Sequence, residues 1–208
     1  MNEQRSEAVL SPILTNPGAA AIFVLAWLIW NVPEGIGMFT QRAGASRAAA
    51  QARDRGSLVT LISLQWLGLV LAVLLGVSMP GAAIRWQRTA LVGLGIGLLL
   101  LGVAVRWYAI WVLGRYFTRE VAVSVDQPVV RRGPYRWIRH PAYSGTFLTM
   151  LGVWVALANW ASLVVLVVCV GLGHFYRVRA EERALTQVIG QPYIEYMRRT
   201  KRFIPWLW

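Results

Sequence analysis

The sequence predicts an all-α integral membrane protein of about five transmembrane helices, and three observations carry that expectation. Of 208 residues, 57% are hydrophobic and 14% charged, with a mean hydropathy of +0.51; a soluble domain typically carries about a quarter charged residues. The apolar runs have spanning length: a charge-free helix over Ser57–Met79 would rise roughly 34 Å, against a hydrocarbon core of about 30 Å. Basic residues, finally, alternate between compartments in the way five crossings require.

The spans follow in order. Gly18–Val32 is the apolar body of a first one, expected at about 18–37. Its leader is polar, with Glu3 and Glu7, and no small-residue cleavage pattern follows it, so it reads as an anchor and not a signal peptide. Near its end, Asn31-Val32-Pro33-Glu34 sets a carboxylate beside a helix breaker. Ionisable groups at such depth face protein or a water-filled cavity; Glu34 therefore either borders a site or sits at the interface. The second and third spans fall at 57–79 and 89–105. Gly93, Gly95, Gly97 and Gly102 in the third include a Gly-xxx-Gly pair, which permits close helix approach and reads as packing within the chain. Tyr143–Tyr176 carries no charge apart from His174 and is too long for one crossing. Ala158-Asn159-Trp160 breaks it, a polar residue and an interfacial tryptophan suited to a tight hairpin, giving spans at 143–158 and 160–176.

Residues 1–208 thus read as one membrane domain, with 106–142 and 177–208 as polar segments outside the bilayer. Alternate compartments hold three and eighteen Lys and Arg residues, which places the N-terminus outside and the C-terminus in the cytoplasm. The net charge of +12 is then a topology signal plus attraction to anionic lipid, and nucleic acid is not an expected partner. The first loop, QRAGASRAAAQARDRG, reads as a surface helix or strap without visible site chemistry. Cys169 is the single cysteine and lies in the last span, so no disulfide forms within the chain and no metal-ligand spacing exists. Lys201 is the only lysine among twenty arginines, a composition that suggests a bacterial inner membrane.

Chemistry concentrates after residue 106. In Gly133-Pro-Tyr-Arg-Trp-Ile-Arg-His-Pro-Ala-Tyr-Ser-Gly145, Arg136, Arg139 and His140 supply donors while Tyr135 and Tyr143 offer flat faces with hydroxyls. Pro141 is suited to open a helix, which would leave the N–H groups of Ala142, Tyr143 and Ser144 as an anion site. Downstream, the last span is expected to continue as a charged helix on which His174, Arg177 and Glu181 share one face. Taken alone, Arg177 and Glu181 read as an i,i+4 pair on an exposed helix; facing the hairpin partner, the same face would instead hold an anion and an ammonium, while the opening stretch suits an anionic group with a flat ring.

These two stretches, with Glu181-Glu182 and the Gly190-x-x-Tyr193-x-x-Tyr196 ending before a basic run and Pro205, resemble the isoprenylcysteine carboxyl methyltransferase family and related phospholipid methyltransferases. The resemblance covers roughly Arg106 to Pro205. It implies S-adenosylmethionine as methyl donor, bound on the cytoplasmic side in a pocket formed by 106–142, the helical hairpin and the tail. A lipophilic small molecule or lipid would enter from the bilayer. By motif, Val129, Val130, Tyr135, His140, Pro141, Tyr143 and Glu181 would hold the cofactor, and Arg177 matches the position associated with the substrate carboxylate. A carboxylate acceptor needs no base; an amine does, and Glu34, Glu182 and His174 are then the candidates. The acceptor atom stays open between oxygen, nitrogen and sulfur. A membrane sterol reductase using a nicotinamide cofactor shares the Arg-His-Pro-x-Tyr region and is the alternative enzyme, and a non-catalytic membrane protein the alternative class.

Overall fold

The computed structural model describes residues 17–18, 20–22, 24–25, 28–29, 54, 56–117 and 127–204. Among them the regular structure is helical, with two isolated backbone bridges and no strand. The main helices are α1 (Ser57–Ser78), α2 (Arg88–Leu113), α3 (Pro141–Leu157), α4 (Trp160–Ile189) and α5 (Gln191–Arg199). α1, α2 and α4 are long and apolar enough to cross a membrane, and α3 is a shorter apolar helix. The described residues between 17 and 29 are helical as well, and Ala20 packs with Ile96 on Val92 and Ala156. The protein is an all-α integral membrane protein. Glu34 and Pro205 lie outside the described residues.

One boundary moves from expectation. α2 does not stop at 105 but runs to Leu113, so Arg106 belongs to a helix and not to the polar connection. α4 runs unbroken to Ile189; thirty residues rise roughly 45 Å, about 15 Å more than a hydrocarbon core needs. Its charged end therefore projects beyond the bilayer, as the sequence suggested.

Packing sorts the helices into two tight pairs, α2 with α3 and α1 with α4, joined by the α3–α4 contact. The shared core is Ala72, Leu99, Val103, Met150, Val153, Trp154, Leu166 and Val170. The α3–α4 hairpin turns at Ala158, whose φ is 49°, and at Asn159. Asn159 accepts from Ser162 N at 3.1 Å as the helix cap and donates to the Met79 carbonyl at 3.2 Å, tying the hairpin to the end of α1.

The glycines of α2 do pack within the chain, but not through the Gly93–Gly97 pair. Among the described residues nothing lies within 4 Å of a Cβ on either, whereas Gly95 and Gly102 meet Gly152 and Gly145 of α3. A Cβ on Gly95 would lie 2.6 Å from both the Gly152 carbonyl oxygen and Ala156 Cβ. Because backbone is the obstacle, Gly95→Ala is expected to cost about 1–3 kcal/mol, seen as a lower Tm by tryptophan emission in detergent. Gly93→Ala in the same assay should change little.

Large apolar side chains cover the outside: Val59, Leu74 and Val77 of α1, Leu94 and Leu101 of α2, Val164 and Leu172 of α4 are all exposed. Of the exposed tryptophans, Trp86 and Trp160 lie beside the hairpin and Trp107, Trp111 and Trp137 toward the opposite end, where a bilayer's two faces favour them, while Trp66 lies within α1. That opposite end gathers the start of α1, the end of α2, the start of α3 and the charged part of α4. The candidate site lies there.

Candidate active site

The site is built by chain segments that close on one another through their backbones. Gly133, at φ 58°, opens a 3₁₀ turn over Gly133–Arg136, and Pro141 then starts α3 with His140 as its cap. Gly190, at φ 72°, ends α4 and releases α5, after which residues 200–204 return alongside the His-Pro loop. Arg139 N donates to the Lys201 carbonyl at 2.7 Å, His140 N to Arg202 O at 3.0 Å, and Lys201 N to Trp137 O at 3.0 Å. Tyr196 reinforces the closure by donating its hydroxyl to the Tyr135 carbonyl at 2.6 Å. Burial pushes the Tyr135, Tyr193 and Tyr196 hydroxyls above the usual phenol range, so all three stay neutral.

Two carboxylates, adjacent in sequence, serve different groups. Glu182 is buried and neutralised by its surroundings: Arg139 Nε donates to it at 2.9 Å, Arg202 Nη2 at 2.9 Å, and His140 Nε2 lies at 3.3 Å. Glu181 points elsewhere, accepting from the Tyr143 hydroxyl at 2.8 Å. The same hydroxyl accepts from Arg177 Nε at 3.1 Å, so Tyr143 links Glu181 to Arg177. Arg177 is 2% exposed, and its Nη1 also donates to Ser57 Oγ at 2.7 Å and to Asp54 Oδ1. A cleft of about 400 Å³ on the Glu182 side of α4, rimmed by Arg179, Arg183, Arg202 and Gln187, contains neither Glu181 nor Tyr143.

The residues singled out in the sequence meet this geometry as follows. Tyr135, His140, Pro141, Tyr143, Arg177 and Glu181 gather at one end of the bundle. Val130 packs on Ala109, Val112, Tyr135 and Ala142, forming an apolar wall beside Tyr135, and Val129 precedes it, half-buried. His140 is buried between the rings of Tyr143 and Phe203, but its Nε2 faces Glu182. The anion site expected at the start of α3 does not form as expected, because Tyr143 N and Ser144 N both donate to the His140 carbonyl at 3.1 Å. His174 is buried one turn before Arg177, with Nδ1 at 2.8 Å from the Val170 carbonyl and its ring edge-on to Tyr143. Glu34 falls outside the described residues.

Sequence reasoning missed three participants. Asp54 and Ser57 lie in or beside the loop read as lacking site chemistry, yet both bind Arg177. Their local signal was legible, since Asp three residues before Ser ahead of an apolar run marks a helix start, and Asp54 Oδ2 does accept from Leu58 N at 3.1 Å. Arg106, inside α2, donates to the Ala142 carbonyl at 3.3 Å and to Thr146 Oγ1 at 3.0 Å; a charge within an apolar helix is itself the signal.

Residues 95–187 match the model of the isoprenylcysteine carboxyl methyltransferase family. The chain belongs to this family through that segment. The isoprenylcysteine carboxyl methyltransferase segment includes α3, most of α2 and α4, and the residues Tyr143, Arg177, Glu181 and Glu182, while the partners Asp54, Ser57 and Arg202 lie outside it. Protein-S-isoprenylcysteine O-methyltransferase B of Arabidopsis thaliana is 31% identical over 133 residues, 63% of this chain and 66% of that protein. Protein-S-isoprenylcysteine O-methyltransferase of Saccharomyces cerevisiae is 33% identical over 116 residues, 55% of this chain and 48% of that protein. The chain thus spans about two thirds of the first and about half of the second. A solved structure of the eukaryotic intramembrane Ras methyltransferase of this family shares the fold, with a TM-score of 0.57 at 20% identity, over 94% of this chain and 70% of that one. The isoprenylcysteine carboxyl methyltransferase match gives no support to the sterol reductase alternative.

Proposed function

We propose that the protein is an S-adenosylmethionine-dependent methyltransferase that modifies a lipophilic small molecule or lipid at the cytoplasmic face of a bacterial inner membrane, with its N-terminus outside. The observation that carries this is coincidence: the segment matching the methyltransferase family is the segment whose side chains converge on Tyr143.

The residues present fit such a cofactor. A zwitterionic amino acid needs a carboxylate for its ammonium, and Glu181 is half-buried with acceptor capacity beyond the Tyr143 bond. A nucleoside needs flat neutral walls, and Tyr135 with Val129 and Val130 supplies one. His140 and Pro141 would fix the start of α3 from which Tyr143 projects, His140 touching the ligand by its ring and not by Nε2. When bound, the cofactor would supply a methyl group already activated on a sulfonium.

The protein's own contribution is then positioning and exclusion of water, which for well-oriented reactants is worth roughly 7–11 kcal/mol of barrier. Tyr143, held on both sides, would fix the boundary between cofactor and acceptor, with Arg177 on the acceptor side. The exposed apolar faces of α1 and α4 leave lipid direct access to the bundle. Calorimetric titration of the detergent-solubilised full chain tests the reading: S-adenosylhomocysteine should bind and NADPH should not, and the reverse outcome would overturn it.

A further inference from the structure

The pairing of Asp54 with Arg177 bears on what is methylated. Both groups are buried, Asp54 at 6% and Arg177 at 2% exposure. The Asp54 carboxylate is fully engaged: Oδ1 accepts from Arg177 Nη1 and from Ser57 Oγ at 3.0 Å, and Oδ2 accepts from Leu58 N at 3.1 Å at the start of α1. A resident carboxylate therefore already occupies the guanidinium that would have received an acid group of the substrate. Displacing it would strand Asp54 among buried partners, and breaking a buried pair is strongly unfavourable. A second carboxylate placed beside the intact pair would meet the negative charges of Asp54 and Glu181, with Arg177 already paired.

One turn earlier on the same helix stands a group of the opposite kind. His174 is 4% exposed, and the 2.8 Å contact of Nδ1 with the Val170 carbonyl makes Nδ1 the protonated nitrogen. Nε2 is then a bare lone pair, buried and without a hydrogen-bond partner among the described residues. A buried acceptor left unsatisfied costs about 1–3 kcal/mol, and such a group calls for a donor. Its ring stands 5.5 Å from that of Tyr143, whose hydroxyl binds Arg177 and Glu181.

Resting on the methyl-transfer reading, we infer that the acceptor carries a protonated heteroatom (hydroxyl, thiol or amine) and not a free carboxylate, with Asp54 excluding the acid and His174 Nε2 receiving the acceptor's hydrogen. The transfer balances without a further reagent. A lone pair of the acceptor atom forms the new bond to the methyl carbon, the donor's carbon–sulfur bond leaves with its electrons on sulfur, and the displaced proton goes to Nε2. Arg177 in this arrangement positions Tyr143 and does not bind substrate. His174 becomes a catalytic residue.

The test uses the solubilised full chain with methyl-labelled donor and two sets of probes: N-acetyl-S-farnesylcysteine as the carboxylate, and 4-dodecylphenol, dodecanethiol and dodecylamine as the protic acceptors. At least one protic probe should be labelled ten-fold or more above the carboxylate. His174→Asn, which keeps a donor for Val170 but lacks Nε2, should lower that labelling at least ten-fold while S-adenosylhomocysteine still binds as in the wild type. Asp54→Asn, whose amide oxygen keeps the Leu58 N–H bond while its NH2 turns to Ser57 Oγ and no longer accepts from Arg177, should narrow the preference against the carboxylate. Preferred labelling of the carboxylate by the wild type would overturn the inference and leave the methyltransferase reading standing. Unchanged protic labelling in a binding-competent His174→Asn would overturn the role given to His174. Absence of both labelling and S-adenosylhomocysteine binding would take down the underlying reading, and this inference with it.

Discussion

Glu182→Ala is expected to lower the stability of the protein by about 3–5 kcal/mol, the usual cost of removing one partner from a buried charge cluster. Arg139 and His140 are held by Glu182 with side chains only 8% and 3% exposed, so neither can turn to water for compensation. Arg139 also donates from Nη1 to the carbonyls of Met197, at 2.9 Å, and Thr200. Loss of Glu182 therefore loosens the seam between the His-Pro loop and the returning tail as well as the charge cluster. Two measurements check this: Tm by tryptophan emission in detergent, and limited proteolysis, which should newly cut after Gly190. Arg202→Ala provides the scale, because Arg202 is 29% exposed and its removal leaves Glu182 with Arg139 and His140. It should cost clearly less. A Glu182→Ala protein that melts with the wild type would mean that backbone pairing alone holds the tail.

The contrast between Glu181 and Glu182 shows how much of this molecule was legible in its sequence. The helices were, because charge-free length and hairpin residues such as Asn159 are local signals that a bilayer enforces strictly. The motif residues His140, Pro141 and Tyr143 come together for a local reason too, since they fall within four consecutive positions at the cap and first turn of α3. Partner choice was not legible. Helical spacing puts residues 181 and 182 about 100° apart on α4, but only the fold decides that one turns to Tyr143 and the other to Arg139. Asp54 shows the limit most clearly. Its position before an apolar run announced a helix start, while its pairing with Arg177, 123 residues away in sequence, depends on α1 lying against α4. Arg106 was misplaced because a basic residue at the edge of an apolar run looks like the end of a helix, whereas α2 continues for two more turns and turns the guanidinium onto α3.

Glu181→Ala is expected to weaken S-adenosylhomocysteine binding by about 10- to 150-fold, which corresponds to about 1.5–3 kcal/mol for a hydrogen bond to a charged group. The fold should survive, since Glu181 is half-buried and the Glu182 cluster is untouched by its loss. Arg177→Lys should behave in the opposite way. It keeps a positive charge opposite Asp54, but a lysine ammonium cannot reproduce the planar fork that reaches Tyr143 from Nε while Nη1 reaches Asp54 and Ser57. Cofactor affinity should then stay within about three-fold of the wild type, while methyl transfer falls at least ten-fold because Tyr143 is no longer fixed from the Arg177 side. Tyr143→Phe separates the two arms, for it removes the hydroxyl shared by Glu181 and Arg177 and keeps the ring against His174. It should reduce transfer as Arg177→Lys does, with a smaller loss of binding than Glu181→Ala. Calorimetry and methyl labelling on the same three purified variants decide the matter. Equal losses of cofactor affinity in Glu181→Ala and Arg177→Lys would place both residues on the cofactor and leave the acceptor side without Arg177.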